Sequence, residues 1–453
     1  MADSFAKLAD FTLRREGDDF PQSSLDAAAL MLLDTLGIVI GAGPMEAGLI
    51  ARETACLLYA SQDEKHSARM LFDGRRVSLA GAAYAAATQT DNLDGHDGYN
   101  PTKGHIGVVV VPALAAMTEH RPNLSGPDAL ATLITGYEIA GRAAISLHNT
   151  VSDYHTSGAW NALGVVAMAA RLRGFSNDQL RQALGIAEFH GPRSQMMREI
   201  ANPTMLHDGS GWGALVGISS AILAERGFTG APAITVEAEE VAPYWQDLGQ
   251  FWQMEHQYVK PYPICRWAHA AIDATRLLIQ ENALHHSQIA TLHINTFRES
   301  ACLFQEQPRT TSQAQYSLPF AVATMALHGR IGVEHISGTG LQDPQVAQFM
   351  QRITVAEAER HSSRFPQNRF ADVVITLNEG QRYESGDVHA RGGPEAPMER
   401  AEVIAKFMEF ASPSLGQERA AAIRDATLDL PRTEASFARL SALLYDAPQA
   451  PPA

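Results

Sequence analysis

A mainly α protein carrying an α+β insert is the fold class this sequence predicts. Three observations carry it. Apolar residues recur at helical spacing through the first half, strand-like β-branched runs are confined to the stretch after Ala270, and helical spacing returns beyond a Gly/Pro-rich segment near residue 395. From Ser24, the residues Leu25, Ala29, Leu32, Leu36 and Val39 fall four and three apart, which is one face of a helix. It stops at Gly41 and Gly43, before Pro44. A second helix is predicted through PDALATLITGYEIAGRAAISL, with Pro127 near its start, and a third through WNALGVVAMAARLRG, ending at Gly174. Ser176 and Gln179 form a capping-box pattern that opens QLRQALGIAEFHG. These segments are rich in Ala and Gly, and small residues let helices approach closely, so a buried helical bundle is expected.

After Ala270, HSQIATLHINTF reads as a strand with imperfect alternation. FADVVITL and QRYESGDV read as a hairpin turning at Asn378, Glu379 and Gly380. Between them YSLPFAVATMALHG reads as a helix. RGGPEAPMER is the exit, helical pattern returns in AEVIAKFMEFA and ERAAAIRDATLDL, and the tail DAPQAPPA reads as disordered. The expected division is a large helical domain from residues 1–271 and 396–453, with an α+β lid at 272–395.

The chain has 453 residues, long enough to bury a large core without covalent staples. Its net charge of -15 argues against nucleic acid, because phosphate binding needs a basic face. Cys56, Cys265 and Cys302 are widely spaced, form no CxxC pair, and weigh against an iron–sulfur dehydratase. They fit a reduced, cytoplasmic setting. The N-terminal stretch contains acidic residues and no apolar core, unlike a signal peptide. The run GVVVVPALAAM is read as the longest apolar stretch, shorter than the ~20 residues a membrane helix needs. No membrane partner is expected.

Chemistry concentrates in DNLDGHDGYNPTKGHIG, residues 91–107. Asp91, Asp94, Asp97, His96, Lys103 and His105 share a stretch broken by four glycines and Pro101, so it cannot be a regular helix. A loop of acids, bases and a cation held by a rigid scaffold is a functional candidate; a solvated polar loop with capping aspartates is the plainer alternative. His96, Asp97 and His105 could also be considered as metal ligands, but no ligand spacing such as HExxH supports that, and neither metal nor cofactor is expected. In DYHTSGAWN, His155 precedes a helix start, where it could act as a general acid or base or simply cap the helix. In NPTMLHDGSGWGA, His207 and Asp208 precede three glycines whose backbone N–H groups could meet a carboxylate, or which could make only a tight helix–helix turn. In VKPYPICRWAHAAIDA, Lys260 and Arg266 flank two prolines at the apparent domain boundary, which suits a substrate with several carboxylates. Cys265 between them reads either as a nucleophile or, more commonly, as a buried structural thiol. Tyr316 and Phe320 open the insert's helix and either project into the cleft or pack its core.

Taken together, LLDTLGIVIGAG, LDGHDGYNPTKGHIGVVVVPALAA, YEIAGRA, YHTSGAWNALG, DGSGWGALVG, KPYPICRWAHAAIDA and HARGGPEAPM resemble the MmgE/PrpD family over nearly the whole chain. That family includes 2-methylcitrate dehydratase, cis-aconitate decarboxylase and iminodisuccinate epimerase. The resemblance implies a helical domain built from both chain ends, an α+β lid between them, and a homodimer. By residue, Asp94 and His105 match the family's acidic loop and following His. His155 matches the His that opens the next active-site helix, and Lys260 lies at the lysine leading into the lid. The chain departs from the decarboxylase branch at Gly98, in place of Thr; at TMLH, with Met205 and His207, in place of a TKPLH-like motif; and at Phe320, in place of Tyr.

The implied chemistry is removal of a proton beside a carboxylate of a small di- or tricarboxylate, followed by loss of water. Epimerisation or decarboxylation are the variants of the same apparatus, and a tricarboxylate-binding protein without turnover is the non-catalytic alternative. On this expectation Lys103, Lys260, Arg266 and Tyr316 hold the substrate. His105 or His155 takes the proton, the other histidine or His207 returns one, and Asp94 orients a histidine.

Overall fold

The structure is a computed structural model and describes residues 4–448. Part of the tail expected to be disordered lies outside them. Among the described residues, ten α-helices occupy the first half: α1 (Ser4–Arg14), α2 (Gln22–Gly41), α3 (Glu46–Leu58), α4 (Leu79–Asp91), α5 (Gly107–Thr118), α6 (Gly126–Thr150), α7 (Gly158–Arg173), α8 (Asn177–His190), α9 (Met196–Ala201) and α10 (Ser210–Glu225). Their close approach uses the small residues. A Cβ on Gly164 of α7 would lie 2.5 Å from the Gly136 carbonyl of α6, and one on Gly217 of α10 would lie 2.5 Å from Val165. Ser176 and Gln179 form the capping box at α8, and Gly174 ends α7 in the left-handed region at φ 67°.

Two features depart from the sequence reading. A small antiparallel hairpin, β1 (Ser67–Arg69) with β2 (Arg76–Ser78), interrupts the helices. Three-residue strands are too short to show an alternation. Among the described residues, the apolar helix long enough to cross a membrane by composition is α2, not the 107–118 run, and 83% of its window is buried inside the protein. It is a core helix.

The inserted sheet has the order β4 (Ile353–Glu357), β3 (Ile289–Thr296), β5 (Phe370–Leu377), β6 (Arg382–Glu384), with β7 (Val388–His389) pairing β5. β3 runs parallel to β4 and antiparallel to β5, which turns back into β6. The hairpin turn falls at residues 378–380 as expected. The imperfect alternation of β3 has a physical source, a register shift between Ile289 and Thr291. Leu292, Ile294, Val373 and Ile375 are fully buried beneath helices His269–Glu281 and Leu318–His328. The long C-terminal helix, Arg400–Asp429, is broken at Gly416 (φ 75°) and packs on α2, where Phe407 lies 3.2 Å from the place a Gly37 Cβ would take.

The two parts share a core. Ile38, Ala42, Met45 and Leu93 of the helical body join the lid cluster of Phe320, Val373 and Ile375. Gln315 Nε2 donates to the Asn92 carbonyl at 2.9 Å, and Asn100 Nδ2 to the Gln367 carbonyl at 3.1 Å. The loop 91–107 therefore sits at the seam.

Candidate active site

That loop is held by backbone rather than by regular structure. Gly98 and Tyr258 exchange two N–H···O bonds, of 3.1 and 2.8 Å, and Tyr99 N–H donates to the Gly104 carbonyl at 3.0 Å. Asp94 and Lys103 take φ of 53° and 55°, the left-handed region that ordinary residues occupy only when their surroundings enforce it. A Cβ on Gly107 would run into Asp97 and the Tyr137 hydroxyl, so glycine is required there.

His105 is fixed on three sides. Its backbone N–H donates to Ser157 Oγ at 3.0 Å, its carbonyl accepts from Asn161 Nδ2 at 2.8 Å, and its Nδ1 lies 2.7 Å from the Asp97 carbonyl. A carbonyl only accepts, so Nδ1 carries the hydrogen and Nε2 keeps its lone pair. Nε2 faces Asp208 Oδ2 at 3.6 Å. Burial, then the charge of Lys260 and the neighbouring His96, hold this imidazole well below its ordinary pKa, so it is neutral at pH 7. The His96 ring meets it edge-on, centroids 4.6 Å apart. His96 is fully buried, and burial pushes it down to about 3.

Lys260 supplies the cation. Its Nζ lies 2.5 Å from Asp94 Oδ1 and 3.1 Å from the Asp94 carbonyl. Burial works against its charge, but the Asp94 carboxylate outweighs it and the pKa is raised. A second buried lysine braces the same loop: Lys406 donates to Asp34 and to the Gly95 carbonyl, both at 2.7 Å.

The third segment is the turn before α10. Asp91 Oδ2 accepts from the backbone N–H groups of Asp208 (3.2 Å) and Ser210 (3.1 Å), at the N-terminus of α10. His207 takes φ 44°, and its ring meets that of Tyr316 at 5.5 Å between centroids. Burial lowers His207 to about 4. Tyr316 is buried and comes from the lid, and burial with Asp94 and Asp208 raises its phenol. Burial also pushes the Cys265 thiol up to about 12, so it is no ready nucleophile.

Asp94, His105, His207, Lys260 and Tyr316 are thus brought into one buried group, linked by contact or by direct electrostatic influence. His155, Lys103 and Arg266 are placed differently. The His155 ring stacks on His148 (6.5 Å, 14°), and the His155 backbone N–H donates to His148 Nε2 at 3.2 Å. Among the described residues no hydrogen bond or ring contact links it to His105 or Lys260. Lys103 Nζ lies 5.8 Å from the Tyr154 ring centre and lines a cavity of about 620 Å³ with His148, Tyr258 and Glu395. Arg266 donates to the carbonyls of Arg391 (2.5 Å) and Ala390 (2.9 Å) and stacks 4.4 Å over the Tyr258 ring. Its guanidinium ties the lid exit to the body.

Several residues escaped sequence reasoning as site members. Asp91, His96 and Asp208 stand inside the motifs singled out. Tyr258 and the buried Arg369, which donates to Asn100 Oδ1, carried no signal. Two cavities flank the group: one of about 720 Å³ reaches Asp91 and His207, and the 620 Å³ cavity reaches Tyr258. Among the described residues, a cluster spaced to hold a metal is His361, Asp372 and Asp387 in the lid. Its carboxylates are already paired with Arg360 and Arg364.

This arrangement can be set beside known families. The MmgE/PrpD N-terminal domain matches residues 6–243 and the MmgE/PrpD C-terminal domain matches residues 262–431. The chain belongs to the MmgE/PrpD family. No curated protein matches it at a significant level. The family includes dehydratases and related enzymes. The three departures now have locations in an MmgE/PrpD fold. At Gly98 a Cβ would run into the Tyr258 hydroxyl and lie 2.7 Å from His105 Nδ1, so Tyr258 occupies the space of any side chain there. Met205 is 43% exposed and lines the 720 Å³ cavity that reaches Asp91 and His207. Phe320 packs in the lid core, and the tyrosine facing the buried group is Tyr316.

Proposed function

We propose that this protein is a cofactor-independent lyase that removes a proton beside a carboxylate of a small di- or tricarboxylate and eliminates water. One observation carries the reading: a neutral imidazole, His105, presents a lone-pair nitrogen in the same buried group as the charged Lys260. A C–H beside a carboxylate is a very weak acid. Its removal needs a base with a free lone pair and a fixed cation where the second negative charge develops. In this reading a substrate carboxylate approaches Lys260 Nζ, His105 Nε2 takes the adjacent proton, and charge accumulates against the ammonium and the Tyr316 phenol. Asp94 holds the lysine in place rather than orienting a histidine.

Epimerisation is the second reading, favoured by His207. It is also neutral, buried, and has an unpartnered Nε2, so it could return the proton from another direction. Incubation with 2-methylcitrate, citrate, malate and tartrate in deuterated water separates the two. Alkene absorbance supports elimination. Incorporation with inversion and no alkene supports epimerisation. Neither alkene nor incorporation from any of these acids sinks both.

A further inference from the structure

The turn between α9 and α10 places a second carboxyl against His105. Asp208 is flanked by two left-handed residues, His207 (φ 44°) and Gly209 (φ 64°). Its own backbone is clamped, with N–H donated to Asp91 Oδ2 at 3.2 Å and the carbonyl accepting from Gly158 N–H at 3.0 Å. Side chains of ordinary helices or loops need no such constraint, and strain of this kind persists where surrounding contacts over-determine it. The result is a carboxyl whose Oδ2 accepts from Ser157 Oγ at 3.0 Å and stands 3.6 Å from His105 Nε2. The two side chains keep 10% and 13% exposure, so both still border open space rather than sealing each other in.

We propose that Asp208 is a further catalytic residue, the acid that protonates the departing hydroxyl, and that His105 returns the proton to it after each turnover. The inference rests on the lyase reading above. The step balances without any co-reactant. The proton passes first to His105 Nε2, and the C–H electron pair stays on the carbon and its adjacent carboxylate beside Lys260 before it forms the new C=C bond. The C–O pair leaves with oxygen, which takes the Asp208 proton and departs as water. Imidazolium and carboxylate then face each other across the 3.6 Å gap, and transfer of the proton from Nε2 to Oδ2 restores both neutral groups. Ser157 Oγ, donating to Oδ2, steadies the transient carboxylate.

The electrostatics agree with this assignment. Burial, then the charges of Asp91 and Asp94, push Asp208 up to about 8, against the opposing pull of Ser157 and Lys260. It therefore holds a proton at neutral pH, which an ordinary carboxyl does not. Tyr154, Tyr316 and Cys265 also face it, and each is held in its neutral form by burial.

The test uses Asp208→Asn, which keeps the size and the acceptor oxygen for Ser157, and reads two rates in deuterated water: solvent exchange at the carbon acid and formation of alkene from 2-methylcitrate, citrate, malate or tartrate. The expected result is exchange within a few-fold of wild type and alkene formation lower by about 10²–10⁴-fold, the usual worth of a general acid. Asp208→Glu is expected to recover part of the elimination. Retained exchange also shows that the variant is folded. Unchanged alkene formation overturns the proposal, as does parallel loss of both rates, which would make Asp208 a support for His105 only. Absence of both exchange and alkene formation in the wild-type protein is a different failure, that of the lyase reading itself.

Discussion

At the scale of single residues, the deciding group is His105. Its tautomer is set by the Asp97 carbonyl, its neutrality by burial and Lys260. His105→Ala is expected to lower turnover about 10²–10⁴-fold while leaving the fold intact, checked by steady-state kinetics beside circular dichroism. Unchanged turnover would remove it from the mechanism. Gly98→Thr is expected to lower stability rather than restore a missing function, because the added atoms meet Tyr258 and His105. A thermal melt checks this. The sequence made His105, Lys260 and Asp94 legible because acids, bases and cations gathered in Gly-broken loops stand out against an Ala-rich background. It did not make Asp208 legible as a partner of His105, since 103 residues of chain separate them and only the fold closes that distance. Arg369 was hidden for the same reason. His155, a candidate from its position before a helix, has its ring stacked on His148.

At the scale of elements, the site depends on how α7 and α10 begin. A Cβ on Gly158 would run into the Gly209 carbonyl, and one on Gly213 would lie 2.8 Å from Gly158 Cα. The helix starts are locked backbone to backbone, which fixes the turn carrying His207 and Asp208. Gly158→Ala is expected to cost about 1–3 kcal/mol and to lose most activity through a shift of that turn. Urea unfolding of the variant, read with its turnover, checks both. The helices themselves were legible because their apolar spacing and caps are local signals: Ser176 with Gln179, Gly174 after α7. The β1–β2 hairpin and the parallel β3–β4 pairing were not, because three-residue strands show no periodicity and partner choice is not local.

At the scale of the whole molecule, buried charge holds body and insert to the loop between them. Lys260 follows the helical body and leads into the lid, and Lys406 comes from the C-terminal helix; both reach the loop 91–107. Lys260→Met is expected to destabilise by about 3–5 kcal/mol by leaving Asp94 buried and unpaired, with Asp94→Asn in the same chain recovering part of the loss. A double-mutant cycle in urea measures it. Stability also carries a pH signature. Burial raises Asp97 to about 7, whereas an unfolded Asp releases its proton near 4. Between those values the folded chain binds the extra proton, so this group's contribution falls as pH rises through that window. Asp97→Asn, which keeps an acceptor for Tyr137, is expected to gain stability relative to the parent from about pH 5 to about pH 8. An unchanged difference between the two would contradict the burial assigned to Asp97.

The claim on which the rest depends is that His105 and Lys260 act on one bound polycarboxylate. A crystal structure with tricarballylate, which has the carboxylates of citrate but no hydroxyl to lose, tests it directly. One carboxylate is expected within hydrogen-bonding distance of Lys260 Nζ, with the adjacent CH₂ facing His105 Nε2. A ligand bound away from both side chains, or a carboxylate on Lys260 with His105 turned to protein alone, would contradict it.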